Sequence, residues 1–168
     1  MLRKTLITVV AATLAIMLSH NALAELPGPQ VGQHFPHDLS APDQRGEQQN
    51  LDTLMGEKGI VVLFVRSADW CPYCKRQLAE VNQRVQAFSA LGLNVVAVSV
   101  DEVAEIAAFA EKQDIAFTLL ADPAGDINGQ LGIRDENYPL GHKRFGVPHP
   151  VLYVLDTDRV IRLAYLEP

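Results

Sequence analysis

The stretch Asp69-Trp70-Cys71-Pro72-Tyr73-Cys74-Lys75-Arg76-Gln77-Leu78 follows closely on an unbroken apolar run, Ile60-Val61-Val62-Leu63-Phe64-Val65, and holds both cysteines of the 168-residue chain. The run is mostly β-branched and shows no polar alternation, the pattern of a strand covered on both faces. Pro72 stands where the first residue of a helix would stand, and Leu78, Val81, Val85 and Phe88 recur at three- and four-residue steps until Gly92. A first-turn proline, an apolar stripe of helical period and a closing glycine predict one amphipathic helix of about five turns. Strand, cysteine pair and helix in that order put the cysteines at the carboxyl end of a central strand, where open sheets place their active sites.

On the amino-terminal side, residues 25–50 are polar and carry Pro27, Pro29, Pro36 and Pro42, so an extended lead-in with one short strand or hairpin is expected. On the carboxyl-terminal side, Leu93 to Val100 predicts a second buried strand. Glu102 to Lys112 predicts a helix with Val103, Ile106, Ala107 and Ala110 on one face, and Phe117 to Ala121 a further strand. Asp122-Pro123 reads as an N-cap and first-turn proline opening a short helix to about Leu131. After a polar loop, Arg134 to Pro150, the strands Val151 to Leu155 and Val160 to Ala164 are joined through Asp156-Thr157-Asp158-Arg159 as a hairpin. Strands and helices that alternate first and end in an antiparallel pair define an α/β chain with a mixed central sheet flanked by helices.

Arg3 and Lys4, the apolar stretch Thr5 to Leu18 and the small-x-small pattern Ala22-Leu23-Ala24 read as a secretory signal, residues 1–24, with a single domain at 25–168. The expected setting is exported, periplasmic or secreted, with the domain soluble after cleavage. A formal net charge of −6, more negative still without Arg3 and Lys4, argues against nucleic acid as a partner. A bridge between cysteines three positions apart closes almost no loop and would restrain the unfolded chain very little, so stability is a poor reason for the pair. Chemistry is the better one.

With a helix starting at Pro72, Cys71 is its N-cap, and the unpaired amides of the first turn favour a thiolate there. Cys71 is therefore the expected nucleophile and Cys74, one turn further on, the resolving thiol. A structural zinc site would need four ligands, and besides this one pair the chain past residue 24 has only His34, His37, His142 and His149, with no second paired motif. Two thiolates and His149 would instead suit a soft cuprous ion, so a copper-binding or copper-delivery module remains an alternative from another class. The leading reading assigns no metal and no cofactor.

These residues resemble the thioredoxin-fold superfamily, and more closely its redoxin branch of peroxiredoxins, peroxiredoxin-like proteins and exported thiol:disulfide oxidoreductases. Trp70-Cys71-Pro72-Tyr73-Cys74-Lys75 is similar to the thioredoxin active-site motif. Val31 to Pro36, Asn94 to Asp101, Leu119 to Pro123 and Pro150 to Asp156 match family landmarks at suitable spacing. The resemblance implies a thioredoxin-like fold and a substrate surface formed by Trp70, Pro72, Tyr73, His149 and Pro150. Pro150 corresponds to the family's cis-proline, with Pro148 the competing choice, and it would expose the preceding backbone to an extended substrate and set His149 against the cysteine pair.

Three departures accompany the match. Val65 stands where thioredoxins carry a buried acidic residue, with Glu57 and Asp69 as candidate substitutes. With the peroxidatic cysteine of peroxiredoxins placed on Cys74, their threonine position is Cys71 and their arginine position is Pro150, leaving Arg66 and Arg144 as candidate donors. The family also usually adds a helix after the last hairpin, so one sheet face is expected to be thinly covered. The function expected first is disulfide exchange with protein thiols and disulfides, assisted by a redox partner. The alternative on the same cysteines is a peroxiredoxin-like peroxidase acting on peroxide.

Overall fold

The computed structural model describes residues 26–167, so the signal-like segment 1–24 lies outside the described residues. A two-stranded hairpin, β1 (Ala41–Pro42) and β2 (Gln48–Gln49), fulfils the expectation for the lead-in, and the short helix α1 (Leu51–Leu54) follows it. Its N-cap is a reciprocal pair: the Asn50 side chain accepts from the Thr53 N–H, and the Thr53 hydroxyl accepts from the Asn50 N–H.

The main sheet has five strands: β3 (Gly59–Val65), β4 (Leu93–Ser99), β5 (Thr118–Ala121), β6 (Val151–Asp156) and β7 (Ile161–Leu166). Their order is β5-β4-β3-β6-β7, with β3, β4 and β5 mutually parallel and β6 and β7 antiparallel. The mixed α/β sheet of the sequence reading is thus observed. Strand β3 is central and wholly buried, sending Ile60, Val62 and Phe64 into one core and Val61, Leu63 and Val65 into the other. That two-sided burial is what its unbroken apolar run required. The strand begins at Gly59, whose φ of 147° and close approach to the Leu155 carbonyl leave no room for a Cβ.

Two elements differ from expectation. The predicted single helix over 72–92 is two, α2 (Pro72–Asn82) and α3 (Val85–Ala90). At the break the Asn82 amide donates to the Asp114 carbonyl and accepts from the Ala116 N–H, while Arg84 bonds back to Val81 in the tighter i to i+3 manner. A side chain that clamps a neighbouring loop interrupts a stripe that periodicity alone would continue. The helix α4 (Val103–Gln113) forms as expected, but α5 (Asp126–Gln130) starts later than predicted. Its N-cap is Gly125 and not Asp122, whose carboxylate accepts the N–H groups of Asp126 and Ile127 from outside the helix.

The expected thin cover is found over β7. Register places Leu163 beside Val154 and Tyr165 beside Leu152, and Leu163 and Tyr165 are 46% and 56% exposed.

Candidate active site

Parallel pairing of β3 with β4, Val65 opposite Ser99, brings the segments that follow both strands to the same sheet end. The first of these segments leads into α2. Cys71 is the N-cap, in extended conformation, and its Sγ accepts the Cys74 N–H at 3.2 Å. The arrangement predicted from Pro72 is therefore present: a sulfur facing the unpaired amides of a first helical turn, the setting that stabilises negative charge. Cys71 and Cys74 are joined in a disulfide with their Cα atoms 5.3 Å apart. Both are buried, in the core formed with Leu78, Ile106, Phe109 and Val65, whereas Trp70 and Tyr73 beside them are exposed.

The loop before Cys71 rests on a carboxylate that the sequence reading did not single out. Asp101 is buried, and its oxygens accept from the Ser67 hydroxyl at 2.6 Å, from the Ala68 N–H and from the Ser99 hydroxyl. Ser67 in turn accepts from the N–H groups of Asp69 and Trp70. A buried charge is tolerated only when its lone pairs are engaged, and here every engaging group lies at this sheet end. Neither Glu57 nor Asp69, named as substitutes for the acid missing at Val65, takes this place; Asp69 contributes only its N–H to the network. The available signal was Ser99-x-Asp101 at the end of β4, which points to the cysteine loop only once the register with β3 is known.

Cationic groups gather around the motif although the chain is acidic overall. The Arg144 guanidinium lies 4.4 Å from the Trp70 ring centroid, and Arg76 lies 5.4 Å from that of Tyr73. Arg66, Tyr73, Arg76, Pro150, Tyr165 and Glu167 line a cleft of about 470 Å³. Of the sequence-predicted substrate residues, Tyr73 and Pro150 share this cleft, and Trp70 and Pro72 flank the cysteines.

His149 and Pro150 do not meet the roles that the resemblance implied. No described peptide bond is cis, at Pro150 or at Pro148. The His149 N–H donates to the Ile133 carbonyl, and the Pro150 carbonyl accepts from the Glu167 N–H. The His149 ring pairs with Glu136 at 2.7 Å, a contact that holds the Glu136 carboxyl below its usual range. Its potential ligand atom clusters with those of Asp135 and Glu136, not with the cysteines. The donor set required for a copper site on Cys71, Cys74 and His149 is therefore not assembled here.

A family model described as the AhpC/TSA family matches residues 31–164. Peroxiredoxin Bcp of Escherichia coli is 29% identical over 120 residues, covering 71% of this chain and 75% of the relative. Among solved structures, peroxidoxin BcpB from Mycobacterium tuberculosis superposes with a TM-score of 0.70 at 24% identity, over 84% of this chain and 86% of the other. A thiol peroxidase from Chromobacterium violaceum gives a TM-score of 0.70 at 17% identity, over 84% and 79%.

Proposed function

Because the chain belongs to the AhpC/TSA family and is a thiol-based oxidoreductase of the redoxin type, we propose that it reduces peroxides through Cys71 and Cys74. The observation that carries this reading is Cys71 at the N-cap of α2, with its sulfur on the Cys74 N–H and within bonding reach of the Cys74 sulfur. In the reduced protein the Cys71 thiolate attacks one peroxide oxygen. The O–O bond breaks, an alkoxide or hydroxide leaves and takes up a proton, and Cys71 becomes a sulfenic acid. The Cys74 thiol then attacks that sulfur, water leaves, and the Cys71–Cys74 disulfide of the present structure is formed. Similarity to proteins named peroxiredoxin and peroxidoxin supports peroxide over protein disulfides as the oxidising substrate.

The missing threonine and the absence of arginine at Pro150 leave the peroxide's polar contacts to other groups. Arg144, held over Trp70, and Arg66, in the adjoining cleft, are cationic candidates for this role. Peroxide consumption with dithiothreitol as reductant tests the proposal. Turnover should be present in the native protein and lost in Cys71→Ser, whereas Cys74→Ser keeps a Cys71 sulfenic acid that dithiothreitol reduces directly. No consumption above that of the reductant alone would overturn it.

A second reading, exchange with protein thiols and disulfides, is supported by the exposed Trp70 and Tyr73 beside the pair, an apolar rim onto which an unfolded segment could dock. It is tested by Cys74→Ser, which would hold protein partners as mixed disulfides on Cys71. The signal-like residues Arg3, Lys4 and Ala22 to Ala24 support an exported, periplasmic setting for either chemistry.

A further inference from the structure

The polar loop between α5 and β6 leaves and rejoins the fold through one narrow neck. There the Asp135 N–H donates to the Val147 carbonyl, the His149 N–H donates to the Ile133 carbonyl, and Arg134 pairs with Pro148 in an antiparallel bridge. At this neck we propose a divalent-metal site, formed by Asp135, Glu136 and His149 and suited to zinc, that ties the two ends of the loop together.

Three observations carry the proposal. One ligand atom from each residue lies within 4.8 Å of the other two, and His149 Nε2 stands 2.7 Å from Glu136 Oε2. Ligands held about 2.0–2.2 Å from a tetrahedral zinc ion lie about 3.4 Å apart, a difference that rotation of the exposed Glu136 side chain covers. The charge is also uncompensated: among the described residues no Lys or Arg pairs with Asp135 or Glu136. The neighbouring Arg134 guanidinium is turned instead to the Gly125 carbonyl and to Asp126. Finally, the ligand carriers are fixed in advance. The bridge sets the backbone of 135 and 149, and the Asn137 N–H and amide orient the Asp135 carboxylate.

The imidazole separates this cluster from a patch of surface acids, and it also selects the metal. Magnesium and calcium take oxygen ligands, and a cuprous ion takes soft sulfur. One ring nitrogen with two carboxylates suits a borderline divalent ion such as zinc, with water in the fourth position. None of the three residues belongs to the cysteine pair, so the site stands apart from the peroxide reading.

The loop closed by this neck is the one that reaches the cysteine motif. Residues 139–144 are exposed along it, and Arg144 at its far side lies 4.4 Å from the Trp70 ring centroid. Backbone hydrogen bonds alone close the neck in the absence of an ion. A metal held from both ends adds a cross-link there and removes open conformations of the loop, because it binds the closed neck and not the parted one.

Zinc chloride is the probe, titrated calorimetrically into chelator-treated protein in its disulfide form, so that no cysteine thiolate competes for the ion. One zinc ion should bind per chain, and magnesium chloride at the same concentration should not displace it. Glu136→Gln, at an exposed position where folding is not at stake, and His149→Gln should each weaken binding by at least about tenfold. His142→Gln, exposed on the same loop but outside the cluster, should leave it unchanged. Zinc should also slow trypsin cleavage after Lys143 and Arg144 in the native protein and not in Glu136→Gln. No saturable binding below about 1 mM, or equal affinity in the native protein and both cluster variants, would overturn the site. Binding with no change in cleavage at Lys143 and Arg144 would overturn its role at the neck.

Discussion

The Ser67 hydroxyl donates to the buried Asp101 carboxylate across 2.6 Å while accepting the N–H groups of Asp69 and Trp70 at 2.9 and 3.0 Å. One hydroxyl thus ties the end of β4 to the loop that delivers Cys71. Ser67→Ala removes that tie and leaves two loop N–H groups and one carboxylate oxygen without a partner. The variant should lose about 1–3 kcal/mol of stability and oxidise Cys71 more slowly with peroxide, because the N-cap loop loosens. Urea unfolding and single-turnover oxidation check both parts. Unchanged oxidation with reduced stability would make the network structural only.

Removal of Cys74 separates the two chemical steps. In Cys74→Ser, hydrogen peroxide should still convert Cys71 to its sulfenic acid, seen as an added oxygen by mass spectrometry and trapped by dimedone. In Cys71→Ser, the remaining Cys74 lacks the N-cap position and should be oxidised at the rate of an ordinary buried thiol. If the two single variants behave in the opposite sense, the roles of nucleophile and resolving thiol are reversed.

Leu78 is fully buried beneath the cysteine pair, in the core shared by α2, α4 and β3. Leu78→Ala should cost about 2–5 kcal/mol, according to how far the surrounding side chains collapse into the space. Denaturant midpoints at constant slope measure it. A loss below about 1 kcal/mol would place the support of α2 elsewhere.

Asp43 predicts an acid limb of stability. Burial pushes its carboxyl up, but the N–H groups of Arg45 and Glu47, the Gln49 amide and the Arg45 guanidinium together hold it below the usual value of 3.8. A carboxyl lowered on folding stabilises the native state above its unfolded pKa, and that contribution is lost as pH falls through the lower, folded value. Asp43→Asn should therefore be less stable at neutral pH and show a flatter decline below pH 3.8. Equal slopes for variant and native protein in that window would exclude Asp43 as the source.

Much of the fold was legible because its signals are local. The apolar run of β3, the first-turn proline at Pro72 and the turn at 156–159 each determine a short segment by sterics or periodicity. Cys71 as N-cap followed from that local logic, and the structure places it there. What was not legible depends on partners distant in sequence. The break at Asn82 depends on a loop 32 residues away, and Asp101 joins the site across a separation of 34. The cis peptide expected at Pro150 came from resemblance alone, and that bond is trans.

The account depends most on the reactivity of Cys71, and one rate tests it. Fully reduced protein is mixed with hydrogen peroxide at neutral pH while Trp70 fluorescence reports closure of the neighbouring disulfide. An N-cap thiolate should react at least about tenfold faster than free cysteine at the same pH, since free cysteine is only a few per cent ionised there. A rate equal to that of free cysteine, in protein shown to be folded, would contradict the account.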